Sequence, residues 1–137
     1  MTKEEKDLLI RDLCARIPHG VKVKAERIHK DSLSFVGVDD NSYICKTPFG
    51  SVIFIPFNFD IKPYLRPLSS MTDEEKKEFI DAVTWEANGK FYIDECEDIT
   101  LYQEKYDWLN AHHFDYRGLI EKGLAIAVTE KNNHYKD

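Results

Sequence analysis

The sequence predicts an α+β fold. Three observations carry that reading: an amphipathic stripe opens the chain, short β-rich runs separated by turn residues fill 21–61, and capped helical patterns return from residue 72.

In the first element Thr2 and Glu5 have capping-box spacing, and Ile10, Leu13, Cys14 and Ile17 recur as the stripe of a helix with one buried face. Pro18 and Gly20 end it, so the N-terminal helix occupies 1–20. Over 21–61, "VKVKA" alternates strictly, "LSFVGV", "YICK" and "SVIFI" are strand-like, and "DDNS" and "TPFG" stand between them as turns. Such runs make an antiparallel meander. The alternation slips between Ala25 and Ile28, which predicts a bulge there and strong curvature: a small curved antiparallel sheet or half-open barrel.

Residues 62–71 form a connector, since Lys62 and Arg66 each precede a proline and are driven to extended backbone. A helical part is expected over 72–130. Thr72 and Glu75 repeat the capping box, Asp73, Glu74 and Glu75 suit the positive end of the helix dipole, and Phe79, Ile80, Val83 and Ala87 line one side. Asn88-Gly89 reads as the stop, "KFYID" as a strand or extended link, and "DECED" as a solvated acidic loop. A third helix starts near Thr100, with Gln103 completing a capping box, and runs to about His112. Tyr102, Tyr106, Leu109 and His113 fall on one of its stripes, and Leu101, Lys105, Trp108 and His112 on the next. The tail 131–137 is expected to fray.

One domain over 1–137 is the economical reading, because the 17 aromatics are spread over both parts and the connector is short. Cys14, Cys45 and Cys96 are odd in number and lack metal-like spacing, which points to free thiols in a reducing compartment. The opening segment has no apolar leader pattern and no run approaches a membrane span, so a cytoplasmic protein is expected. Charge is uneven: residues 1–70 carry 11 basic against 9 acidic side chains, a balance of +2, and residues 71–137 carry 8 against 16, a balance of -8. The acidic half repels polyphosphate, which disfavours nucleic acid or an anionic membrane as a partner of the whole chain.

The densest cluster of chemistry-bearing residues is "LNAHHFDYRGLIEKGLA" at 109–125. Adjacent helical residues project about 100° apart, so His112 and His113 cannot chelate one ion, and no metal or other cofactor is expected. The structural reading ends a helix here with one imidazole on a carbonyl of the last turn. Asp115 then caps a short helix from Tyr116 to Lys122, and Gly123 is its left-handed stop. Arg117 at that helix start is a candidate anion contact. Three free cysteines and five histidines leave a small enzyme using His112, His113 and Asp115 open, although no Walker loop, GxGxxG, GxSxG or HExxH is present. The β segment offers the better binding surface. Lys22 and Lys24 share a strand face, and "FIPFNFDIKPYLRP" gathers Phe57, Phe59, Tyr64 and Arg66, cations beside aromatics that suit a peptide or a stacked base.

The segments "KPYLRPLSSMTDEEKKEF" and "LNAHHFDYRGLIEKGLA" resemble segments of small uncharacterised proteins of prophages and mobile elements in anaerobic gut bacteria. They span about a quarter of the chain. The resemblance implies an element-encoded accessory protein and assigns no catalytic role to any residue. The expected function is therefore a non-catalytic protein-interaction module, with a protein partner or self-association. A small enzyme and local nucleic-acid binding through the β segment are the alternatives.

Overall fold

In a computed structural model of the protein, which describes residues 2–87, 90–93 and 99–135, the α+β class holds. Helix α1 (Lys3–Ala15) opens on the expected capping box: Glu5 N–H donates to the Thr2 hydroxyl at 3.0 Å and Thr2 N–H to the Glu5 carboxylate at 3.0 Å. A short 3-10 turn, Ile17–His19, follows, and Gly20 at φ 74° closes it. The buried face is shifted from the sequence expectation. Leu9, Asp12, Leu13 and Arg16 are buried, whereas Ile10 and Cys14 are half-buried and Ile17 is exposed. Two of the four inward positions are charged, which an apolar stripe cannot reveal.

Strands β1 (Lys22–Lys24), β2 (Leu33–Val38), β3 (Ser42–Lys46), β4 (Val52–Pro56) and β5 (Lys62–Leu65) pair antiparallel, and β8 (Ile126–Ala127) adds parallel to β5. The order β4-β3-β2-β1-β5-β8 makes one mixed sheet that does not close into a barrel. The expected bulge lies elsewhere: β1 stops at Lys24 because Ile28 and His29 N–H both turn back to the Ala25 carbonyl, and the register slips instead between Phe35 and Gly37 in β2. Leu9 and Leu13 cover one sheet face, packing with Val23, Leu33, Phe35, Tyr43, Cys45, Ile55 and Leu65. Each such buried side chain is worth roughly 1.5–3 kcal/mol.

The connector is not structureless, since Lys62 to Leu65 form β5. Helix α2 (Asp73–Val83) carries the second capping box, with Thr72 N–H on Glu75 at 3.0 Å and Glu75 N–H on Thr72 at 3.1 Å. It ends before the expected stop. From Thr84 the chain is extended, and β6 (Thr84–Ala87) pairs antiparallel with β7 (Lys90–Ile93). Asn88-Gly89, the "DECED" loop and Cys96 lie outside the described residues, as do the side chains of Val83, Ala87 and Tyr102. Helix α3 (Ile99–Ala111) begins at Ile99, so Thr100 sits inside its first turn and not in front of it as a cap. The C-terminal part is thus not wholly helical, because it supplies β8 and the β6–β7 hairpin.

The tail is docked through residue 135. The Tyr135 hydroxyl donates to the Tyr64 carbonyl at 2.6 Å and accepts Lys22 N–H at 3.0 Å, bridging β1 and β5 one step beyond their last rung, Val23↔Pro63. Its ring stacks on His113 at 3.5 Å. Burial pushes the phenol far above its usual range.

Candidate functional site

The histidine stretch is built as a helix stop. His113 N–H donates to the Asn110 carbonyl and Phe114 N–H to that of Leu109, the paired bonds of a Schellman ending, with His113 at φ 63° in the left-handed position. His112 Nδ1 lies 2.9 Å from the Trp108 carbonyl and so carries the proton, as expected for an imidazole on the last turn. Burial, with the nearby Arg16 charge, drops the His113 pKa to about 4, so that ring is neutral above this. Gly123 repeats the ending at φ 74°, with Gly123 N–H on Ile120 and Leu124 N–H on Leu119. Asp115 does grip backbone amides, accepting Leu119 N–H and Ile120 N–H, each at 2.9 Å, on separate oxygens. What it caps is a turn and not the expected helix 116–122. Of the residues of the enzymatic alternative, His112 and Asp115 are engaged with backbone groups and His113 is stacked on Tyr135, and among the described residues no group of three or more His, Cys, Asp or Glu could hold a metal.

Arg117 belongs to a buried polar cluster that joins the two ends of the chain. Arg16 Nε and Nη2 grip both oxygens of Asp12, and Nη2 also donates to the Phe114 carbonyl at 2.7 Å. Arg117 Nη1 donates to Asp12 Oδ1 at 2.8 Å and to the Tyr116 hydroxyl at 2.9 Å, and that hydroxyl donates to Asn110. A cleft of about 360 Å³ lies beside it, lined by Ala15, Tyr106, Asn110, Tyr116 and Arg117. Two guanidiniums facing one carboxylate look like an anion site. The C-terminal ends of α1 and α3 meet here, however, and each carries about half a negative charge. With Asp12 they balance the two arginines, so the cluster is electrostatically closed without a ligand.

The other residues expected to bind a partner divide in two. Lys22, whose ammonium donates to Ser34 Oγ at 2.7 Å, and Lys24, 3.9 Å from Glu26, lie at half-exposed positions on the sheet. Phe57 stands edge-on to Tyr43 at 4.8 Å, and Phe59 packs against the core. Tyr64 is buried and covered by His134 at 4.3 Å. Arg66 holds both Glu75 oxygens at 2.6 Å and lies over the Phe114 ring, and this pairing, with the cap, depresses the Glu75 pKa to about 2. These four are part of the framework.

A different surface is open. Strand β4 has β3 on one side and no strand on the other among the described residues. Thr47 N–H donates to Ser51 and Phe57 N–H to Asn41, so the odd-numbered residues of β4 aim their backbone groups at β3. Val52, Phe54 and Pro56 therefore aim theirs outward, and Pro56 has no N–H to offer. The side chains follow the same parity. Ile55 is fully buried, whereas Val52 is 52 % exposed, Phe54 61 % and Phe49, at the β3–β4 turn, 88 %. Exposed Val36 and half-buried Ile44 extend this apolar face across β2 and β3. No residue from Thr47 to Phe59 is charged. The signal missed in the sequence is Pro56, which has no N–H to give a further strand and is therefore favoured on the outward side of an edge strand.

Comparison with known proteins found no matching family model, no matching curated protein and no matching solved structure.

Proposed function

We propose that this chain is a non-catalytic interaction module that takes an extended, uncharged segment of a protein partner as an added strand along β4. One observation carries the reading: the edge offers outward backbone groups at Val52, Phe54 and Pro56 beneath exposed Phe49 and Phe54, with no charge to repel a neighbour. Most proteins blunt such an edge with Lys or inward charges, and here Pro56 alone does so. Free thiols at Cys14 and Cys45 support a reducing, cytoplasmic setting, and the resemblance of the "KPYLRP" and "HHFDYRG" segments supports an accessory role on a phage or mobile element. No helix among the described residues is long and apolar enough to cross a membrane.

The test is selection of peptides from a random displayed library on the full chain, followed by residue-resolved amide exchange. Selected peptides are expected to be apolar and uncharged, to slow exchange at Val52 and Phe54 at least tenfold, and to lose binding to Phe54→Lys. Peptides that bind with exchange at both amides unchanged would place the interaction elsewhere and overturn the proposal.

A further inference from the structure

We infer that the strand added to β4 is β4 of a second copy of this chain, paired antiparallel about Phe54. This rests on β4 being the interaction edge and goes further by naming the occupant. With Phe54 opposite Phe54, the two residues exchange both N–H···O bonds, and each Val52 N–H meets the Pro56 carbonyl of the other copy. Every outward donor is then used. The missing donor of Pro56 costs nothing in this register except an unpaired Val52 carbonyl. The cross-strand row Ile44↔Phe54 continues through the joint into Phe54 and Ile44 of the other copy, so the apolar face doubles.

Charge selects the same arrangement. Beside the Val52 end of the edge stands exposed Lys46, its cross-strand neighbour, and beyond the Pro56 end stand exposed Asp39 and Asp40 in the turn that leads into Ser42. An edge with a cation at one end and anions at the other is complementary to itself only when antiparallel. The like sheets lie roughly 14 Å apart from β3 to β3, three strand spacings, so the attraction orients approach and is screened by salt. A two-fold joint closes after two copies, and the far edge of each sheet, β8, is two residues long and too short to continue the array. One strand pair buries little area, which makes the dimer a weak one.

Sedimentation velocity of the full chain over about 10 µM to 1 mM, paired with amide exchange at each end of that range, tests this. Expected are a monomer–dimer equilibrium, slower exchange at Val52 and Phe54 as concentration rises, and at least a tenfold weaker association for Phe54→Lys at unchanged melting temperature. Lys46→Asp should weaken the dimer about threefold at low salt, and adding Asp40→Lys should recover part of that loss, because with Asp39 still in place that end of the edge becomes neutral and no longer repels the acid at position 46. A chain that stays monomeric to 1 mM with both amides unprotected overturns the second-copy inference. In that event peptides that still protect Val52 and Phe54 would leave the interaction edge standing with a different occupant. A dimer indifferent to Phe54→Lys, or a double variant as weak as Lys46→Asp alone, also overturns it.

Discussion

Asp115 holds the chain with both of its oxygens, and that changes what its replacement should do. The sequence alone suggests a cap that Asn or Ser could replace, since each keeps an oxygen. In the structure one oxygen takes Leu119 N–H and the other Ile120 N–H, with the side chain largely buried. Asp115→Ala strands both amides and should cost about 1–3 kcal/mol. Asp115→Asn keeps one acceptor and turns an amide group towards the second N–H, so it should lose a substantial part of that amount. Denaturant titration of the three proteins decides it, and an Asn variant as stable as the parent would show that one bond suffices. His113 supplies the pH dependence. Its folded pKa of about 4 lies below the ordinary 6.5, so the unfolded chain binds the proton first. The stability from burying the neutral ring is complete above pH 6.5, falls as pH drops towards 4, and is constant below. His113→Asn, which tolerates the left-handed backbone, should flatten that limb. The contribution of Glu75, with a pKa of about 2, is lost only below about pH 4.5 and should persist. An unchanged slope between pH 6.5 and 4 in the variant would remove His113 as its source.

Elements were legible where local chemistry suffices and illegible where partners decide. Both capping boxes, the "DDNS" and "TPFG" turns of the meander and the imidazole on the last turn of α3 follow from residues a few positions apart. The end of α2 was less legible, because β-favouring Thr84 and Trp85 become strand only through their pairing with Ile93 and Tyr92 of β7. Strand β8 could not be seen at all. Two residues carry no periodicity, and Ile126 and Ala127 are strand only because Tyr64 and Leu65 lie beside them. Charge partners are equally invisible: nothing in the sequence singles out Asp12 or Arg16, and Arg117 reads as an anion contact until α1 and the 112–117 stretch are brought together. The proposed interaction surface was half legible. Phe57 continues the parity of Ile53 and Ile55 and so faces inward, which counting along "SVIFIPFN" shows, whereas the openness of β4 depends on where the chain goes next.

At the scale of the whole molecule, the question is whether the sheet and the C-terminal part unfold together. The connector between β5 and α2 would allow independence, but the contacts do not run through it. Arg16 reaches the Phe114 carbonyl, Arg117 reaches Asp12, Arg66 pairs through its backbone with the chain at 113–115, β8 completes the sheet, and Tyr135 bridges β1 and β5. Each of these joins residues within 12–66 to residues within 113–135. A chain tied in this way should melt in one transition, with Trp108 fluorescence reporting the C-terminal part and amide exchange at Leu33 and Cys45 reporting the sheet at the same midpoint. The sharper form of the test is Asp12→Ala. Removing the carboxylate leaves Arg16 buried without its partner and Arg117 without its anchor, which should cost about 3–5 kcal/mol. If the ties are what make the molecule one unit, both probes must shift down by the same amount. Should the sheet keep its midpoint while Trp108 moves alone, the cluster belongs to the C-terminal part only, and residues 72–135 fold as a unit apart from the sheet.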